Sequence, residues 1–238
     1  MTITAEGRRF PVGDGTVSGA VHRAAAPGLG VTVVVAHGAG TRFDHPFLVA
    51  YANGLAGRGV HAVRFNFPYT ERGRGGPDPA PVLEACYRAV LETVRADATL
   101  GGGRIVIGGK SMGGRMASHL AAAGVPVDGL LFLGYPLHPA GQPHKLRAAH
   151  LPRITAPMLF LTGTRDALCP LERLRPVLAG LPRASLHVID DGDHSFAVRK
   201  RSGRDAAAVM DELLDASLAW LRAAVLASGT GGKDAAPH

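Results

Sequence analysis

The stretch that constrains this chain most runs Ile105-Val106-Ile107-Gly108-Gly109-Lys110-Ser111-Met112-Gly113-Gly114-Arg115-Met116-Ala117-Ser118-His119-Leu120. A short apolar β-type run stops at glycines, a serine follows, two more glycines come next, and a segment rich in Ala, Met and Leu reads as helix. The pattern is strand, sharp turn, helix. Gly109-Lys110-Ser111-Met112-Gly113 matches G-x-S-x-G, in which a tight turn holds a serine hydroxyl out at the end of a parallel sheet. Such a turn is strained, and side chains at its flanks would collide with the adjoining strand or helix. Gly109, Gly113 and Gly114 meet that need. Two other glycine-rich readings fail. The phosphate-binding loop needs a glycine five residues before the final Gly-Lys, where this chain has Arg104, and no G-x-G-x-x-G opens a helix.

A chain of 238 residues, 46% hydrophobic, can bury a large core and fits a single α/β domain over residues 1–227. Ser228 to His238 is a polar, small-residue tail expected to be disordered. The N-terminus shows no apolar run followed by a small-residue cleavage site, and the longest β-type apolar run, Val31 to Ala36, is too short to span a bilayer. The expectation is a soluble, cytoplasmic protein with no membrane partner. Cys86 and Cys169 are too few for a disulfide framework and read as structural thiols. The formal charge is +7, but 22 of the 26 basic residues are Arg scattered from Arg8 to Arg222, and only 5% of residues are aromatic. No stacking platform or basic stripe forms, which excludes a nucleic-acid partner and leaves a mild pull on anionic substrates.

In chain order, Val17 to His22 and Val31 to Ala36 read as strands, the second a continuous β-branched run suited to a parallel sheet covered on both faces. His37-Gly38-Ala39-Gly40 follows. In a serine hydrolase of this architecture the loop after that strand lends one backbone N–H to the oxyanion hole, and Ala39 is the expected donor beside Met112. His37 at the start of such a loop suits fixing it by hydrogen bonds more than acting as a base. Phe47 to Gly57 reads as a helix, Val60 to Phe65 as a strand, Asn66 to Pro79 as a loop, and Pro81 to Ala98 as a helix. Gly129 to Gly134 is a buried strand. Tyr135 to Arg153 is irregular and reads as a short cap. Its His138, His144 and His150 share no helical face and lack acidic or thiol company, so no metal site is expected. Ala156 to Leu161 and Ser185 to Ile189 are further strands, and Arg204 to Ala227 is an amphipathic helix.

Thr162-Gly163-Thr164-Arg165-Asp166 places an acid just past one strand, and Asp190-Asp191-Gly192-Asp193-His194 delivers a histidine just past another. Serine is a poor nucleophile at neutral pH; it needs a base, and the base needs an acid to fix its tautomer. Ser111, Asp166 and His194 therefore form the candidate catalytic set, in the chain order that α/β-hydrolases use. Asp190, Asp191 and Asp193 suit turn formation, and His119 and His187 suit packing or surface roles. The pocket is expected from the Asn66 to Pro79 and Tyr135 to Arg153 loops. Candidate substrate-binding residues are His37, Gly38, Lys110, Tyr69 and Tyr135, with Lys110 also suited to holding the loop. Arg72 and Arg74 read as solvated loop charges. No cofactor is called for.

His37-Gly38-Ala39-Gly40, His45-Pro46, Arg64-Phe65-Asn66-Phe67-Pro68-Tyr69, Gly108 to Arg115, Leu133-Gly134-Tyr135-Pro136, His150-Leu151 and Gly192-Asp193-His194 together resemble a bacterial α/β-hydrolase family related to dienelactone hydrolases. Animal testis-expressed and NSL-complex hydrolase-like proteins are similar to it. The resemblance runs from Val31 to Trp220. It implies an α/β-hydrolase fold, a mostly parallel twisted sheet with helices on both faces and a minimal cap, and Ser111, Asp166 and His194 in the triad positions. The activity expected is hydrolysis of a small ester or thioester through an acyl-enzyme. The alternative is a hydrolase-like binding scaffold without turnover, as some animal relatives look to be.

Overall fold

The computed structural model describes residues 4–227, so the expected C-terminal tail lies outside the described residues. Eight strands form one sheet: β1 (Ala5–Val12), β2 (Gly15–His22), β3 (Val31–Ala36), β4 (His61–Phe65), β5 (Arg104–Lys110), β6 (Gly129–Leu133), β7 (Met158–Gly163) and β8 (Ala184–Ile189). Their order across the sheet is β1-β2-β4-β3-β5-β6-β7-β8. β3 to β8 run parallel, while β1 and β2 form an antiparallel hairpin added to the β4 edge. The helices are α1 (Pro46–Gly57), α2 (Pro68–Glu71), α3 (Ala80–Ala96), α4 (Met112–Ala122), α5 (Leu171–Ala179) and α6 (Ala206–Trp220), the last continued by a wider turn over Leu221–Leu226.

β3 shows why the sheet is covered on both sides. Successive strand residues point to opposite faces, so an unbroken apolar run must be buried twice. Val31, Val33 and Val35 pack with Leu48, Tyr51 and Leu55 of α1 and Leu213 and Leu214 of α6. Val34 and Ala36 face the other layer, with Tyr87 and Leu91 of α3 and Met116 and Leu120 of α4. All six β3 residues are buried.

The chain steps from β3 to β4 on one side of the sheet, then returns past β3 to β5 on the other. The loops leaving β3 and β5 therefore part company at one rim and leave a crevice between them, where open parallel sheets bind ligands. The register keeps that rim level: Ala36 lies opposite Gly109, Lys110 opposite Leu133, Leu133 opposite Leu161, and Gly163 opposite Ile189.

Three elements depart from the reading of the sequence. β1 went unread because it lies at an edge with Phe10 as its one buried side chain, so no apolar alternation marks it. Its turn is legible in hindsight, since Gly13 holds φ +55°, the left-handed value such a hairpin turn requires. α2 lies inside the stretch expected to be a plain loop. One turn is too short to show periodicity, but Pro68 opens it at no hydrogen-bond cost and Glu71 closes it, accepting from Ser18 N at 2.8 Å and Asn66 Nδ2 at 2.8 Å. α5 carries Pro176 inside it and buries only Leu174, which hid its pattern. Tyr135 to Arg153 is irregular as expected, apart from a 3-10 turn at Leu151–Arg153. The architecture is a mixed, mostly parallel, twisted eight-stranded sheet flanked by helices, with a minimal cap.

Candidate active site

Between β5 and α4 the chain reverses within one residue. Ser111 takes φ 50° and ψ −113°, a backbone conformation that costs a side-chain-bearing residue on the order of 1–3 kcal/mol. The strain is held from both sides: Ser111 N donates to Leu133 O at 3.0 Å, and Ser111 O accepts from Arg115 N at 3.1 Å. Glycine is required around it. A Cβ on Gly109 would stand 2.3 Å from Ala36 O, and one on Gly113 the same distance from that oxygen. The start of α4 thus lies directly on the end of β3, which lifts the Ser111 side chain to the rim.

Asp166 sits in the turn after β7, its side chain fully buried. Its Oδ1 accepts from Leu168 N at 2.9 Å, and both carboxylate oxygens lie 2.9 Å from His194 Nδ1. His194 Nε2 is 2.9 Å from Ser111 Oγ. A carboxylate only accepts, so Nδ1–H donates to Asp166, which leaves Nε2 to accept from the Ser111 hydroxyl. The structure brings these three residues together from positions 111, 166 and 194.

The loop carrying His194 is braced by two of the acids expected to form its turn. Asp193 Oδ1 accepts from Ser195 N at 2.8 Å and Ala197 N at 2.9 Å. Asp191 binds the Arg199 guanidinium and faces Arg165, which together push its carboxyl down to about 2. From below, Lys110 Nζ donates to His194 O at 2.5 Å and lies 5.6 Å from the Phe196 ring centroid. Burial pushes the Lys110 ammonium down to about 8, opposed by the charges of Asp166 and Asp193. Gly134 is a member of this site that the sequence reading passed over as a strand end. A Cβ there would meet Lys110 Nζ at 3.1 Å, His194 O at 3.3 Å and Asp166 Oδ2 at 3.4 Å.

A cavity of about 310 Å³ opens over Ser111, walled by Gly38, Ala39, Thr41, Phe47, Lys110 and Leu168 among others. Met112 opens α4, where the first N–H groups of a helix have no carbonyl in a preceding turn. His37 is elsewhere: fully buried, its Nδ1–H donates to Gly38 O at 2.8 Å and its Nε2 accepts from Phe67 N at 3.1 Å. Burial pushes it down to about 4, so it is neutral and shapes the loop that follows β3. Tyr69 and Tyr135 are buried too. Tyr69 lies 5.8 Å from the His37 ring, and Tyr135 packs on Phe132 and Phe160 with its hydroxyl donating to Arg147 O at 2.7 Å. The cavity wall includes neither tyrosine, nor any part of the 135–153 segment expected to cap it; α1 and the turn at Leu168 supply that wall. Phe47 and Leu168 were missed because only packing carries them there.

The remaining candidates have ordinary partners. Arg72 pairs with Asp78 at 2.5 Å, His119 with Glu84 at 2.6 Å, and His187 with Glu212 at 2.9 Å. His138 bonds Pro139 O at 2.9 Å and His150 bonds Ser118 Oγ at 2.7 Å. Among the described residues no three His, Cys, Asp or Glu side chains gather as metal ligands would. No helix there is long and apolar enough to cross a membrane.

Solved structures share this architecture. An alpha-beta serine hydrolase homologue from Coxiella burnetii superposes with TM-score 0.72 at 20% identity, over 92% of this chain and 99% of that one. A lidless a/b serine hydrolase from Xanthomonas campestris gives 0.71 at 22% identity, over 92% and 96%. Dienelactone hydrolase from Anabaena variabilis gives 0.75 at 16% identity, over 94% and 100%. At such identities the likeness establishes the fold. A family model for the alpha/beta hydrolase domain matches residues 30–222, and the chain belongs to that family.

Proposed function

We propose that this protein is a serine hydrolase that cleaves a small ester or thioester through an acyl-enzyme, as a single catalytic domain over residues 1–227. The observation that carries the reading is the unbroken hydrogen-bonded line from Asp166 through His194 to Ser111, with 2.9 Å at each link. His194 Nε2 takes the Ser111 proton as Oγ attacks the carbonyl carbon, and Asp166 stabilises the imidazolium that forms. The oxyanion is held by the N–H groups of Met112 and Ala39; losing one such donor typically costs about a hundredfold or more in rate. The bond from the acyl carbon to the leaving oxygen or sulfur then breaks as the carbonyl re-forms, and His194 gives its proton to the departing alcohol or thiol. Water enters with His194 again as base, and the acid product leaves.

Lys110 precedes the serine in the chain and Gly38 lies against it in the fold, a Cβ there standing 3.7 Å from Ser111 Cβ, and in this reading both touch substrate. His37 supports the wall from behind through Gly38, with Tyr69 beside its ring, and Tyr135 packs within the core. The formal charge of +7 favours anionic substrates at encounter. A cytoplasmic setting fits two buried, unbridged cysteines, Cys86 and Cys169.

Ser111→Ala is expected to abolish both turnover of short p-nitrophenyl esters and labelling by a fluorophosphonate probe. Equal labelling of the variant, or a wild-type protein with no Ser111-dependent rate on any ester, would instead support a binding scaffold.

A further inference from the structure

A second cavity, of about 570 Å³, adjoins the one above Ser111, and Phe47 and Ser195 belong to the walls of both. It lies between the first turns of α1, the segment after His194 and the first half of α6. Its walls are apolar and short: Phe47, Ala50, Phe196, Ala206, Ala207 and Met210 carry most of it. Its one charged wall residue, Asp211, is engaged by Arg58 at 2.9 Å. Phe47 and Phe196 stack at 5.7 Å with 13° between their planes, and Phe47 borders both spaces. Ala206 and Ala207 open α6 on this wall, where longer side chains would fill the space. Both volumes lie in the range of small-molecule sites, and the shared walls at Phe47 and Ser195 set the second beside the one above the serine.

Which arm of an ester would lie there follows from where the proton must go. The leaving oxygen has to sit at His194 Nε2 to be protonated, while the carbonyl oxygen is drawn to the opposite side by Met112 N–H and Ala39 N–H. The chain attached to the leaving oxygen therefore departs over Ser195 and Phe196, which are the wall of the second cavity. We propose, resting on the hydrolase reading above, that this second cavity is an alcohol-side subsite, and that the preferred substrates are esters of a short acid with an unbranched apolar alcohol. The smaller cavity takes the carbonyl and its short acyl group. The products are a small carboxylic acid and an apolar alcohol, the alcohol leaving with the His194 proton before water attacks.

The test uses two ester series followed by proton release: methyl, butyl and hexyl acetate, and methyl acetate, butyrate and hexanoate. Burying a methylene is worth roughly a fourfold gain. In the alcohol series kcat/KM should rise at least about tenfold from methyl to hexyl, even with the cavity half open, and the acyl series should change by less than about threefold. Ala207→Trp on one wall, and independently Ala50→Trp on the other, should lower the hexyl-to-methyl acetate ratio about tenfold. Fluorophosphonate labelling checks that Ser111 is still competent in each variant. A gain confined to the acyl series, a flat response to alcohol length, or a ratio unmoved by either Trp overturns the subsite and leaves the hydrolase reading standing. No Ser111-dependent turnover in either series overturns both.

Discussion

Lys110 sits where a charge is costly, half-buried beside Ser111, and its ammonium is spent on a backbone carbonyl rather than on a carboxylate. A charge-assisted hydrogen bond of this kind is worth about 1.5–3 kcal/mol, against about half that for a neutral donor. The bond joins residues 84 positions apart and ties the serine turn to the histidine loop. Burial holds the ammonium at about 8, below its ordinary value, so the charged form is present below that pH and is lost as pH rises through it. Ester turnover should therefore fall along an alkaline limb near pH 8 as the tie weakens. Lys110→Met should lose roughly tenfold in kcat and show no such limb. A limb at the same pH in the variant would assign it to another group. That a lysine precedes the serine was plain in the sequence. Its partner was not, because nothing local marks the His194 carbonyl as the acceptor.

The β5–α4 unit is the element on which the site depends, and it was legible because its demands are local. An apolar strand, a residue held at positive φ, and a helix with no room for side chains where its first turn meets the strands leave few sequences that satisfy all three. At Gly113 a methyl would meet Ala36 O at 2.3 Å, Ala36 C at 2.6 Å and His37 O at 2.8 Å, all of them backbone atoms that cannot swing aside. Gly113→Ala should cost about 1–3 kcal/mol in the urea midpoint and slow fluorophosphonate labelling, since relief must move either α4 or the loop after β3. Gly57→Ala is the control. A Cβ there meets nothing within 4 Å, and the change should be neutral or stabilising by up to about 1 kcal/mol. α2 and α5 show the converse. Each is defined by what it packs on or is tied to, and in isolation their residues carry no period to read.

At the scale of the whole molecule, packing also sets how the fold responds to acid. His22, His37 and His150 are each pushed down to about 4, chiefly by burial, while the unfolded chain would protonate them near 6.5. Between those values the unfolded state binds more protons, so stability falls as pH drops from about 6.5 toward 4. Each such histidine adds up to about 1.4 kcal/mol per pH unit to the slope. Carboxylates whose values are depressed, Asp97 and Asp191 among them, lose their contribution only below their ordinary range near 4. A urea midpoint that drops between pH 6.5 and 4.5, with a shallower drop in His37→Gln, is the expected outcome. A midpoint flat over that interval would mean these histidines are not held neutral.

The amino-acid order by itself determined the buried parallel strands, the strained serine turn and the succession Ser111, Asp166, His194, because apolar runs, glycine sterics and residue chemistry act over short distances along the chain. Tertiary structure alone decided what Lys110 holds, how Asp191 and Asp193 brace the histidine loop, and that α1 and Leu168 rather than the 135–153 segment wall the cavity. Those outcomes depend on strand register and on packing between residues far apart in the chain. Neither leaves a period or a motif to be read before the sheet has formed.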